Sequence, residues 1–281
     1  MTMALQSKIE PSLSEGEIEA ARPLRSARFV RRLRPVVEVL ASVVVVMSVW
    51  EMVIRFFDVQ PFIFPAPSAV LASLWSGLAS GKYIFALGVT LSEILIGCTV
   101  GTVAGLLIAA MMVSSKLAHR VVYPWIVGVQ TIPKVAIAPL MLVWFGFGIE
   151  SKILIVALTS MFPVMVNTIA GLSSTDRDQV ALLRALCGSR LQVLRYVQLP
   201  AALPYIFAGL NTAIVLAVIA AIVGEFVGSR AGIGFLILQA NFALDLAAVF
   251  ALLTLLGALG VTLSSCVRMV ENRVCFWNRR N

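Results

Sequence analysis

An all-α integral membrane protein with six transmembrane helices and cytosolic N- and C-termini is the fold class this sequence predicts, on three observations. The first is composition: 60% of the 281 residues are hydrophobic, mean hydropathy is +0.97 and only 13% are charged, against roughly 25% in a soluble domain. The second is the recurrence of apolar runs of about 20 residues, the length that crosses a bilayer. The third is the uneven placement of the 22 lysines and arginines, which marks cytosolic loops.

The six runs are 36–57, 84–113, 121–147, 152–172, 204–227 and 247–267. With the N-terminus inside, seven basic residues fall in the tail, two in the 114–120 loop, four in the 173–203 loop and four after the last run. That places 17 inside, against four outside (Arg55, Lys82, Lys152 and Arg230), with Lys134 inside a run. Residues 1–34 then form a cytosolic polar and basic tail, and 35–281 the transmembrane domain. The net charge of +8 follows from this topology and does not point to nucleic acid. No small-residue cleavage site follows the first run, which therefore reads as a retained helix. Arg22, Arg25, Arg28 and Arg31 recur three apart, either as a basic helical face on anionic lipid or as a solvated anchor.

In the first run, Glu51 and Arg55 stand four apart in the favourable order for a local ion pair. Pro65 and Pro67 then stop any helix, and Ser68 can cap a short interfacial one. The second run carries Gly97, Gly101 and Gly105, a repeated GxxxG face that lets a neighbouring helix approach closely. Glu93 reaches the outer interface if that helix starts late. The third run contains Pro124, Pro133 and Pro139 and is expected to break. A broken helix in lipid needs protein or a water-filled cavity to satisfy its freed backbone groups. The run therefore either lines a pathway or carries a packing kink. Lys134, beside Pro133, is the deepest ionisable residue, suited to an anionic solute or to a glutamate on another helix. Glu225, near the end of the fifth run and ahead of GSRAGIG, faces an outer vestibule. Pro133, Lys134, Pro139 and Glu225 are the pathway candidates.

The loop between the fourth and fifth runs reads SSTDRDQVALLRALCGSRLQVLRYVQLPAALP. Thr175 and Asp178 have capping-box spacing, starting a helix near Asp176. Val180, Leu183 and Leu186 line one of its faces, and Cys187-Gly188 ends it, glycine being suited to the left-handed turn. Ser189 and Gln192 form a second box. Leu191, Leu194 and Val197 then make an apolar face, and Pro200 stops the helix. Two short amphipathic helices that cannot span a membrane need a partner, either headgroups and the protein's own helix ends or a groove on another protein.

Catalytic signatures are lacking. His119 is the only histidine, the four cysteines have no metal-ligand spacing, and no GxxxxGK[ST] phosphate loop is present. No cofactor or metal is implied, and ATP hydrolysis, if it drives the protein, belongs to another subunit.

The 173–203 loop resembles the EAA loop of permease subunits of bacterial ABC importers, whose pattern is EAA, three residues, Gly, nine residues, then Ile-x-Leu-Pro. Anchored on Val197-Gln198-Leu199-Pro200, this puts Cys187 at the glycine position, with glycine displaced to Gly188, and Ala181-Leu182-Leu183 at EAA. The acidic residue is missing, and Asp178 lies one turn earlier. IPKVAIAPLMLVWFGFGIESKILIVALTSMFPVMVNTIAGL and VGEFVGSRAGIGFLI are similar to the nitrate, sulfonate and taurine branch, which also includes transporters of thiamine precursors and aromatic acids. The resemblance implies a type I permease of the bacterial inner membrane, dimeric and surrounded by lipid. It also implies two ATPase subunits below, a solute-binding protein at the outer face, and alternating access. It assigns ATPase coupling to Ala181, Leu182, Leu183, Arg184, Cys187, Gly188, Ser189, Arg190, Leu194, Leu199 and Pro200. The rival reading, a secondary transporter or channel driven by ion gradients, would require buried carboxylates near the midplane and inverted repeats.

Overall fold

The computed structural model describes the backbone of residues 25–278. The side chains of 25–37, 39, 40, 116, 118, 119, 127, 134, 135 and 278 fall outside the described set, as does the tail arginine face. The chain divides into two units, Met1–Val59 and Gln60–Asn281. In the first, helix α1 (Arg25–Phe56) contains the first predicted run. Glu51 and Arg55 form the expected ion pair on it, at 2.6 Å.

Among the described residues, the regular elements of the second unit are all helices. Helix α2 (Pro67–Ala79) is the short helix expected after the first run. Its cap is Ala66, not Ser68, and Pro67 takes the first turn, where its missing N–H is unneeded and its φ is already helical. Val70 faces inward while Leu71 and Trp75 face out. Helix α3 (Lys82–Ser114) follows. The third run breaks as its prolines suggest, into α4 (Lys116–Gln130) and α5 (Lys134–Phe145). Only Pro133 sits at the break. Pro124 and Pro139 lie inside continuous helices.

Helix α6 (Ile149–Ser173), helix α9 (Leu199–Gly228), the short α10 (Ile233–Phe242) and α11 (Leu246–Val274) complete the bundle. Helices α3, α6 and α11, and the continuous helix Arg190–Gly228 that contains α9, are each long and apolar enough to cross a membrane.

Helix α6 is the centre of the bundle. A Cβ on Gly97 would lie 2.6 Å from Val156 Cβ, one on Gly105 would lie 2.7 Å from Met161 O, and one on Gly101 would overlap Ala157 O. The expected glycine face is therefore pressed against α6, with backbone touching backbone. Contacts advance in step along both helices, so α3 and α6 run parallel. On the other side, Gly171 meets Ala202 and Tyr205, Gly209 meets Pro163 and Val164, and Gly224 meets Lys152 and Ile155. That order is reversed, so α9 runs antiparallel to α6. Ile94, Val156, Val164, Ala213 and Ala217 lie in the core these three helices share.

Hydroxyls buried in α6 are satisfied within the helix itself. Thr159 bonds Ile155 O and Ser160 bonds Val156 O, each at 2.7 Å, and Thr168 bonds Val164 O at 2.6 Å. Small polar residues can therefore sit in an apolar interior without unmet donors. The outer surface is apolar as well: Val103, Leu107, Leu253 and Val261 are all exposed. An exposed apolar surface of this extent requires lipid or a partner.

We expect Gly101→Val to lower the melting temperature of the detergent-solubilised protein, from overpacking of about 1–3 kcal/mol. Gly88→Val, on the same helix with open space at its Cβ, serves as the control and should melt like the unmodified chain.

Candidate functional site

Two constellations lie at opposite ends of the bundle. The first is the connection between α6 and α9. Helix α7 (Arg177–Ala185) starts where predicted, but Asp176 is its cap, accepting from the Asp178 amide at 2.9 Å. Thr175 bonds Leu172 O instead. The Ser189–Gln192 capping box forms in full at the start of α8 (Arg190–Val193).

Between them, Cys187 N–H donates to Arg184 O at 3.0 Å and Gly188 N–H to Leu183 O at 2.9 Å. This pair of bonds is a Schellman motif, and its left-handed residue is Cys187, at φ 60°. The expected left-handed glycine is therefore corrected. Cys187, aligned with the glycine of the EAA pattern, adopts the conformation that a glycine there would serve, and Gly188 has a different task. A Cβ on Gly188 would lie 2.6 Å from Leu183 O, so its lack of a side chain lets the chain turn back on α7.

Pro200 does not stop the second helix. A π-helical turn, Leu194–Gln198, widens the backbone just ahead of the proline, and the helix runs on from Arg190 to Gly228. The wider turn makes room for a ring that would clash with the preceding turn of a regular helix. Val193 is the buried residue of the hairpin, and Leu191 and Leu194, expected to pack as its apolar face with Val197, point outward. Ala181, Leu182, Arg184, Cys187, Ser189, Arg190, Leu194 and Leu199 are exposed, while Leu183, Gly188 and Pro200 are half-buried. Leu182, Leu186, Leu191 and Tyr196 are each more than 60% exposed. The hairpin is thus rigidly capped but largely uncovered.

The second constellation lies where α3 and α6 begin and α9 ends. Glu225, placed by sequence in a vestibule, is 1% exposed. Its Oε1 accepts from Thr90 Oγ1 at 2.6 Å, and its Oε2 accepts from the Gly234 amide and, at 3.3 Å, from the Phe235 amide. Thr90 Oγ1 in turn accepts from the Ile233 amide at 2.9 Å. One carboxylate on α9 thereby caps the start of α10 and binds it to α3, where a negative group is favoured by the helix dipole.

The GSRAGIG segment permits this. Gly232 has φ 110°, and a Cβ there would overlap the Glu225 carboxyl. Glu93, expected near an interface, is 2% exposed one turn beyond Thr90 on the same helix, because α3 begins at Lys82, eleven residues earlier. Lys152, expected on the outer side, is also 2% exposed. Its Nζ donates to Phe147 O and Gly148 O, each at 2.8 Å. Sequence reading missed that Glu93, Lys152 and Glu225 converge. The available signal was that each is charged within or beside an apolar run.

Of the other pathway candidates, Pro133 caps α5 and Pro139 is exposed. The Lys134 side chain lies outside the described residues.

A helical bundle that is apolar outside, with four helices long and apolar enough to cross a membrane among its described residues and an uncovered hairpin at one end, has the build of an integral membrane protein. The chain belongs to the family described as binding-protein-dependent transport system inner membrane component, which matches residues 101–275. It is a permease of ABC importers, of the branch that holds the sulfonate and taurine permeases, and a multi-pass inner-membrane protein.

It is 33% identical over 83% of its length to the formylaminopyrimidine transport permease ThiX of Halalkalibacterium halodurans, covering 93% of that protein. It is 31% identical over 86% of its length to the riboflavin permease RibX of Chloroflexus aurantiacus, covering 91%. The taurine permease TauC of Escherichia coli is 27% identical over 85% of this chain and 89% of its own. In fold it is similar to the MetNI methionine ABC transporter, with TM-score 0.62 and 19% identity over 70% of this chain and 97% of that one.

We expect Cys187→Gly to relieve about 1–2 kcal/mol of left-handed strain and Gly188→Ala to loosen the hairpin. Limited proteolysis should cleave the 173–203 segment no faster in the first variant and faster in the second.

Proposed function

We propose that this chain forms the solute path and the mechanical coupling element of an ATP-driven importer, with hydrolysis on a separate ATPase subunit. The observation that carries the reading is the hairpin. It is fixed by a capping box and a Schellman motif yet exposes Leu182, Leu186, Leu191 and Tyr196. A rigid amphipathic hairpin with uncovered leucines fits a groove on a partner, and its merger with the helix Arg190–Gly228 gives a direct route for motion into the bundle.

In this reading α1, α3, the broken pair α4–α5, α6, α9 and α11 are the six spans. Both termini and the hairpin are cytosolic, with residues 1–34 as a tail and 35–281 as the permease domain. Two copies of the chain engage two ATPase subunits, and a solute-binding protein delivers solute on the side of α2 and α10. The break ahead of α5, with Pro133, Lys134 and Pro139, lines the path. Glu225 serves it by holding α10 in place. The charge of Lys134 favours a small anionic solute of the sulfonate, taurine or nitrate kind. A second reading, a thiamine precursor or other heteroaromatic solute, is favoured by the 33% and 31% identities to permeases named for formylaminopyrimidine and riboflavin.

Leu186→Asp and Leu191→Asp should each abolish co-purification of an ATPase subunit with the tagged chain and lower solute uptake at least about tenfold, a loss of about 1.4 kcal/mol or more in coupling, while membrane insertion is unchanged. Unchanged co-purification in both would end the docking reading. Calorimetry of the cognate binding protein with taurine and with formylaminopyrimidine should give tight binding to one of the two, which assigns the solute class.

A further inference from the structure

A cleft of about 620 Å³ opens between α2, the start of α3, the end of α10 and the start of α11. Because α3 and α6 run parallel, it lies at the end of the bundle opposite the hairpin. Its floor is apolar, with Leu236 and Leu252 buried. Its wall is built around Gly77. A Cβ there would overlap the Tyr83 ring, so glycine lets that ring pack against α2. Tyr83 is 6% exposed, and its hydroxyl pairs with Ser73 Oγ at 3.2 Å. One hydroxyl of the pair donates to the other, which leaves the second proton for a ligand.

The remaining polar groups sort by sign. Lys82 and Asp245 both line the cleft, and among the described residues they form no ion pair with each other. Lys82 Nζ donates to Gln239 Oε1 at 3.4 Å, a long bond to a neutral acceptor, and an ammonium has two further protons to give. Asp245 Oδ1 accepts from the Ala248 amide at 3.0 Å, which leaves Oδ2 available. Ser76 and Ser80 donate to Ser73 O and Gly77 O, at 3.0 and 3.1 Å, so toward a ligand their oxygens can only accept. The cleft therefore offers donors to an anion at Lys82 and the Ser73–Tyr83 pair. It offers acceptors to a primary ammonium at Asp245 and the two serines. That set suits a zwitterion.

The rim indicates what carries the zwitterion. Leu71, Trp75, Ile84, Phe85, Phe242 and Leu244 are all exposed, each within two residues of one that lines the cleft. A protein-docking site has an apolar centre inside a polar rim. Here the order is reversed, with a polar centre inside an apolar rim. The cleft also lies where α3, a helix long and apolar enough to cross a membrane, begins. Tryptophan and lysine are placed at such a level because one end of each side chain is apolar and the other is wet.

We propose that this cleft seats the headgroup of a phospholipid bearing both a phosphate and a primary ammonium. The phosphate sits on Lys82 and the Ser73–Tyr83 pair, the ammonium on Asp245 and the serine oxygens, and the acyl chains on the apolar rim. The bound lipid bridges α2, α3, α10 and α11. The site needs no ATPase and no transported solute, so its test stands apart from the importer reading.

The test is native mass spectrometry of the delipidated full chain in detergent, titrated with phosphatidylethanolamine, phosphatidylcholine and phosphatidylglycerol. The first should bind at least about fivefold more tightly than either of the others, since choline has no N–H for Asp245 and glycerol has no cation. Asp245→Asn keeps the helix cap, asparagine being equally suited to it. It should bind phosphatidylethanolamine about fivefold more weakly and phosphatidylglycerol at least as tightly as the unmodified chain, because a negative charge has been removed. Lys82→Gln should weaken all three. Equal binding of the three lipids by the unmodified chain, or unchanged phosphatidylethanolamine binding in either variant, overturns the proposal. Free O-phosphoethanolamine binding as tightly as the lipid also overturns it, by making the occupant a soluble zwitterion.

Discussion

The structure depends on how closely helix α6 is approached from two sides. Lipid offers helices little hydrophobic incentive to associate, since its tails are as apolar as leucine. Backbone proximity, dispersion and matched polar groups must do it. Gly97, Gly101 and Gly105 bring α3 to the backbone of α6, and Gly209 and Gly224 bring α9 to its other side. These contacts set the direction of the helices, α3 parallel and α9 antiparallel to α6. The relative directions in turn decide that Glu93, Lys152 and Glu225 meet at one end and that the hairpin projects from the other.

The two ends therefore differ in kind. At the hairpin end the chain is locally complete: each cap is satisfied by a residue within a few positions, and the apolar side chains are left open. Rigidity with exposure suits a surface that transmits motion. At the other end the polar groups are satisfied over long range, Thr90 reaching Glu225 and Ile233, and Thr90, Glu93, Lys152 and Glu225 are all buried. That end behaves as a clasp between helices. The continuous helix from Arg190 to Gly228 joins the hairpin to the residue that holds α10.

Glycine and proline have position-dependent meanings along this chain. Pro133 marks a break, whereas Pro124, Pro139 and Pro163 are carried inside helices. Pro200 is carried because a π turn precedes it. Cys187 holds a left-handed conformation of the kind glycine usually supplies, and Gly188 is needed for closeness instead. Side-chain type alone does not separate these cases, because the outcome depends on what lies across the helix or turn.

The sequence by itself determined the membrane class, the apolar segments, that the third run breaks, the α3 glycine face, the Glu51–Arg55 pair and the Ser189–Gln192 box. Each is set by hydropathy, by a helical period or by neighbours within four residues, all visible in a linear chain. Only the tertiary structure decided that Glu93 and Lys152 are buried, that Glu225 caps α10, and which apolar residues of the hairpin remain uncovered. Those outcomes rest on partners up to 143 residues apart, such as Thr90 and Ile233. The burial of a charge is decided by the groups that surround it, and those are assembled only when the helices pack.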